Sequence, residues 1–222
     1  MKLTTAARRR ITADWLREFP VLGEHRPLSL LRRVGPLLEG IVLDRTSSND
    51  EYRPTFHVHC LLQDFPEVTL TLAHPLLSKK TASPMSVSVL YHDKKYVDAT
   101  TAMAQQSPLA LSGDLRLLDV LESYRRFAHR PGAHYDADSL YEDMAKLCAW
   151  FDGPDRARPI IAEGAAIIEA WPPAILASFG SPETWRSELE NAVADREGQR
   201  ELMDRQVQEL KVQKLPVANM IA

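Results

Sequence analysis

The spacing of apolar residues changes from two to between three and four near residue 100, and that change divides the chain. Ahead of it, residues 4–19 place Ala7, Ile11, Trp15 or Leu16, and Phe19 about four apart before Pro20, which predicts an amphipathic helix with one docked face. In LSLLRRVGPLLEGIVLDR, Pro36 forbids a long helix, Gly35 and Gly40 punctuate the pattern, and residues 41–43 favour a strand. TFHVHCLLQ, residues 55–63, alternates cleanly, with Phe56, Val58, Cys60 and Leu62 on one side and Thr55, His57, His59 and Leu61 on the other. That alternation predicts a half-buried strand whose histidines share the wetter face. Val68, Leu70 and Leu72 alternate with Thr69, Thr71 and Ala73 and predict an antiparallel partner. Residues 87–91 and 96–97 add two short strands around a charged turn at 93–95.

Beyond residue 100 the period is helical. Leu117, Leu121, Tyr124 and Ala128 form one stripe, and Leu140, Met144, Leu147, Cys148 and Phe151 a second that Ser139 and Glu142 would open as a capping box. Ile160, Gly164, Ile167, Ile168 and Trp171 form a third, before Pro172 and Pro173. Ser181 and Pro182 start a last helix through Trp185, Leu189, Ala192 and Val193; its stripe fails over ADREGQRE and resumes at Met203, Val207 and Leu210. Strands followed by helices predict an α+β fold: a small, mostly antiparallel sheet in the N-terminal half, then a helical C-terminal half with a long terminal helix. The expected organisation is a single domain over 1–180, with the sheet at about 28–100 and helices at about 112–172. Residues 181–222 would be a helix and tail serving as an interaction arm.

Composition narrows the class without naming an activity. The 222 residues are 45% hydrophobic and 26% charged, enough to bury a core. With 27 basic and 30 acidic residues the net charge is -3, which argues against a dedicated nucleic-acid binder. Cys60 and Cys148 are the two cysteines and both sit in apolar patterns, so a disulfide framework is not expected and a reducing cytoplasm is. The opening residues lack an apolar leader, and no run reaches the length of a membrane span, so neither secretion nor membrane insertion is expected.

His57 and His59 are the sharpest chemical candidates, because residues two apart on a strand point the same way and two imidazoles can share a divalent metal. His74 would be the third ligand and Asp50 or Asp64 the acid that activates a bound water, giving a metal-dependent hydrolase or lyase. The His-x-His spacing resembles the first cupin motif. Glu51 in place of the leading glycine, Asp64 in place of the glutamate, and the lack of a second motif set that family aside. Arg8, Arg9 and Arg10, with Arg32 and Arg33, would be the phosphate contacts of an RNA-binding reading, although three consecutive arginines spread over roughly 200° of a helix. Neither a nucleophile elbow nor a phosphate loop occurs, and Cys60 falls on the apolar side of its strand. YDADSLYED lacks the glycine and the glutamate spacing of a calcium loop.

The expectation is therefore a non-catalytic, cytoplasmic, protein-binding module that needs no cofactor. A bacterial accessory or immunity protein that sequesters a toxin or effector fits this class. Met203, Val207, Leu210, Val217 and Ile221 would meet another protein or a second copy of the chain.

Overall fold

The structure, a computed structural model, describes residues 2–130 and 136–222. It has the expected α+β character, with an antiparallel sheet in the N-terminal half and helices dominating the C-terminal half. Its contacts divide into two compact units. The first comprises the chain up to His59, Glu67–Leu115 and Leu210–Asn219; the second comprises Cys60–Pro66, Arg116–Glu209 and the last three residues.

In the first unit, helix α1 (Thr5–Glu18) is capped by the Thr4 side chain, which accepts from the Ala7 amide, and it buries Ala7, Ile11 and Trp15 as the four-residue spacing requires. Strands β1 (Gly23–Arg26), β2 (Ser29–Val34), β3 (Leu37–Arg45), β4 (Glu51–Cys60) and β5 (Thr71–Pro75) lie side by side in that order, and the pairings β1–β2, β2–β3 and β4–β5 are antiparallel. The glycine and proline that interrupt the pattern at 35 and 36 are the two-residue turn between β2 and β3. Gly35 has φ 56°, the left-handed value that a two-residue hairpin turn asks of its first residue.

Gly40 meets a different constraint. It pairs with Leu31, and a Cβ there would collide with the Leu30 carbonyl oxygen and stand 2.9 Å from Leu31 Cα. Gly40→Ala is expected to lower stability by about 1–3 kcal/mol, as overpacking against backbone does. A urea midpoint unchanged from the native chain would refute the close approach.

Two expected strands are corrected. Residues 87–91 give a two-residue strand, β6 (Val87–Ser88), which pairs with the start of β4, and then a 3-10 turn, Val89–Tyr91. Residues 93–97 fall within helix α2 (His92–Gln106) rather than in a turn and a strand. A two-residue apolar window cannot separate the periods, and the buried set His92, Ala99, Thr100 and Met103 follows the helical one. The unit is completed by β8 (Val217–Ala218), which runs parallel to β2 beside Arg33 and Val34. The short strands β7 (Leu115–Arg116) and β9 (Met220–Ile221) lie where the chain passes from one unit to the other.

The second unit is helical: α3 (Leu117–Ala128), α4 (Ala137–Asp152), α5 (Pro154–Glu169), α6 (Pro173–Phe179), α7 (Pro182–Ala194) and α8 (Arg196–Glu209). The predicted stripes point inward, with Leu117, Leu121 and Tyr124 of α3, Leu140, Met144 and Leu147 of α4, and Ile160 and Ile168 of α5 all buried. The start of α4 differs from expectation. Asp136, not Ser139, precedes the first turn, and the Ser139 hydroxyl donates to the Asp136 carbonyl. The terminal helix is broken at Asp195, where the apolar stripe fails, into α7 and α8. Asp195 Oδ1 accepts from the Gly198 amide and so caps the second piece. Among the described residues no helix is long and apolar enough to cross a membrane.

Candidate functional site

His57 and His59 do share a face of β4, but the face is dry. Every residue from Pro54 to Cys60 is buried, and the two histidines are 1% and 0% exposed. The half-exposed strand read from the alternation is corrected by residues 67–70, which form no strand and cross over the histidines. Thr69 makes the cover specific. His57 Nδ1 lies 3.2 Å from the Thr69 carbonyl, and His59 Nδ1 lies 3.1 Å from the Thr69 amide nitrogen.

One residue thereby fixes both protons. A carbonyl can only accept, so His57 Nδ1 carries a hydrogen and its Nε2 a lone pair; an amide can only donate, so His59 Nδ1 carries the lone pair and its Nε2 the hydrogen. Burial pushes both imidazoles down to about 4, which keeps them neutral at pH 7. His57 Nε2 is buried and has no hydrogen-bond partner.

This arrangement bears on the metal chemistry expected of the pair. His57 can offer Nε2 to a cation, whereas His59 would have to surrender the Thr69 amide or a ring proton. His74 stands opposite Phe56 in the β4–β5 ladder, so it takes the other face of the strand from His57. Among the described residues, the one set of three ligand atoms within 4.8 Å of one another is Asp14, His92 and Asp93.

That set has its own partners. Asp14 accepts from Arg17 at 2.8 Å, and Asp93 pairs with Arg10 at 3.1 Å. His92 Nε2 is 3.0 Å from Asp14 Oδ2, its Nδ1 is 2.8 Å from the Tyr52 hydroxyl, and that hydroxyl accepts from Trp15 Nε1 at 3.1 Å. With a neutral His92 every hydrogen has a destination, because Tyr52 donates to Nδ1 and Nε2 donates to Asp14. Burial lowers the His92 pKa and supports that neutral form. Tyr52 is fully buried, so the chain of bonds ties α1, β4 and α2 together rather than meeting a substrate. Sequence reading missed it because residues 14, 52 and 92 share no local pattern.

The arginines expected to contact phosphate separate. Arg32 is 2% exposed and is spent on Glu39, at 2.7 Å, and on the carbonyls of Gly113 and Ala110. Arg33 is half-buried, Arg10 pairs with Asp93, Arg9 faces solvent, and Arg8 donates to the Leu3 carbonyl. Arg8 also lines a cavity of about 410 Å³ in the first unit, together with Arg26, Arg45, Asp44, Glu67 and His57.

The residues expected to meet a partner divide as well. Val207 and Leu210 are buried and Met203 is half-buried, while Val217 and Ile221 are 66% and 52% exposed. Pairing with β2 holds the Val217 backbone against the sheet of the first unit. A separate apolar patch escaped the sequence reading. Leu90, Tyr91 and Val97 are 60%, 52% and 47% exposed across the 3-10 turn and the first turns of α2. Leu90 and Tyr91 belong to the 3-10 turn that leads into α2, Val97 to α2 itself, and the exposed Lys94 lies between them in the chain.

In the second unit, Asp143 is fully buried and accepts from the Tyr124 hydroxyl at 2.9 Å and from Gln63 Nε2 at 3.1 Å, and Lys146 Nζ in turn donates to Gln63 Oε1. Burial pushes Asp143 up to about 6 and drives the neighbouring Cys60 thiol well above its ordinary range, so Cys60 is unsuited to act as a nucleophile. Asp64, the expected acid, accepts from Arg205 and Gln206. Comparison with protein-family models, with curated proteins and with solved structures finds no match.

Proposed function

We propose that the chain is a non-catalytic protein-binding module that works in the cytoplasm and docks its partner on the 3-10 turn at residues 89–91 and the first turns of α2. The observation that supports this is the exposure of Leu90 and Tyr91 in the 3-10 turn and of Val97 on α2, a helix that buries Ala99 and Met103. Large side chains left in water on one face lose free energy that a partner recovers, and Tyr is well suited to anchor such a contact. The exposed Lys94 and Lys95 favour a partner patch rimmed by carboxylates. A bacterial accessory or immunity protein that sequesters a toxin or effector is the role we assign within this class, and a second copy of the chain is the competing occupant. A divalent-metal hydrolase built on His57, His59 and His74 has less support, since the first two rings present opposite protonation at Nε2 and the third takes the other face.

The test compares the native chain with the Leu90→Ser Val97→Ser variant, first by light scattering and then by capture from the native lysate. The expected result is one co-captured protein whose recovery falls at least about tenfold in the variant, at unchanged thermal stability. Equal recovery by both chains would remove the α2 surface from consideration, and a dimer lost in the variant would make the partner a second copy.

A further inference from the structure

The cavity of the first unit that Arg8 and His57 line combines features that nothing described so far employs. His57 lines it with a buried imidazole whose Nε2 has no partner. The Thr69 carbonyl holds that nitrogen as a lone pair, so it can accept but not donate. Arg8, Arg26 and Arg45 line the same cavity, and none of the three joins an ion pair among the described residues. Two carboxylates, Asp44 and Glu67, also line it, which leaves three cations against two anions. The volume, about 410 Å³, falls in the range of small-molecule sites.

Each feature selects a property of the occupant. Guanidinium groups fork onto the oxygens of carboxylates and phosphates. A buried acceptor with no donor leaves a desolvation cost standing until an O–H or N–H reaches it. We infer that this cavity binds a small oxyanion that also carries a hydroxyl group, the arginines holding the anionic oxygens and His57 Nε2 accepting from the hydroxyl. Hydrogen phosphate and small hydroxycarboxylates share that chemistry.

Two matched pairs of probes isolate the hydroxyl. At pH 7 inorganic phosphate keeps an O–H that sulfate lacks, and malate carries a hydroxyl that succinate lacks. Titration calorimetry of the full chain should show phosphate or malate binding about tenfold more tightly than its partner, the worth of one hydrogen bond to a buried acceptor. Preference within the phosphate pair alone, or within the malate pair alone, identifies which oxyanion the cavity takes. Arg26→Ala Arg45→Ala, two exposed positions, should weaken the preferred probe by about tenfold or more. His57→Phe should level the two members of the pair at unchanged arginine dependence. Three results overturn the inference: no probe bound at about 10 mM, equal binding within both pairs by the native chain, or full affinity in the double-arginine variant. The comparison within pairs uses the native chain, so the inference stays exposed to refutation even if His57→Phe does not fold.

Discussion

Glu39→Ala is expected to cost the fold about 3–5 kcal/mol, because it leaves a buried guanidinium with no counter-charge. Arg32 and Glu39 face each other across the β2–β3 ladder, 2% and 0% exposed, with Arg32 Nε at 2.9 Å and a terminal nitrogen at 2.7 Å from the same carboxylate oxygen. The guanidinium also donates to the Gly113 carbonyl at 2.7 Å and to that of Ala110 at 2.9 Å, so one side chain fastens the residue 110–113 loop to the sheet. Burial pushes the Glu39 carboxyl up to about 7 and Arg32 pulls against it, which shows how much desolvation the pair absorbs. Arg32→Met Glu39→Leu, which removes both charges and keeps the volume, should recover most of the loss. Urea unfolding of the two single variants and the double measures the coupling. A Glu39→Ala loss under about 1 kcal/mol would mean that the charge finds water instead.

The second large effect is acid sensitivity from the paired histidines. Their unfolded value is 6.5 and burial holds both at about 4 in the fold, so the unfolded chain takes up protons first as the pH falls. Stability from this source is complete above pH 6.5 and is lost on descent to about 4, at about 1.4 kcal/mol per pH unit and about 3 kcal/mol for each ring. Two buried carboxyls act in the opposite sense. Glu39, raised from 4.5 to about 7, and Asp143, raised from 3.8 to about 6, lose stability as the pH rises through those windows and regain it on acidification. The net slope of the native chain is therefore blunted. The readout is its difference from His57→Gln His59→Gln, in which the amide can donate or accept without a charge. That difference should shift by several kcal/mol in favour of the variant between pH 7 and pH 4. Parallel stability curves would refute the buried, neutral assignment.

Much of the secondary structure was legible from spacing alone, and the misses have identifiable causes. The helix over residues 4–19, the three stripes after residue 115 and the cap at Ser181 with Pro182 all lie where local spacing placed them, since a helix buries a face defined by its own residues. The errors cluster in residues 67–97, where short apolar runs fit either period and long-range packing decides between them. The histidine pair was legible as two rings on one face. Its dryness was not, because the cover comes from residues 67–70, ten and more positions away, in a stretch that itself reads as a strand.

By itself the sequence determined the α+β class, the helices after residue 115 and the failure of the apolar stripe over residues 194–201, all of which follow from residues within a few turns of one another. It set the change of period near residue 100, where α2 already begins at His92, and it read as one long helix what Asp195 divides into two. Only the tertiary structure decided that Arg32 is a buried partner of Glu39 rather than a phosphate contact, that Thr69 gives His57 a lone pair and His59 a proton at Nε2, and that Leu90, Tyr91 and Val97 stay in water while Val207 and Leu210 do not. Burial and hydrogen-bond direction depend on which distant backbone arrives beside a side chain, and that partner is set by the folded chain, not by neighbours in sequence.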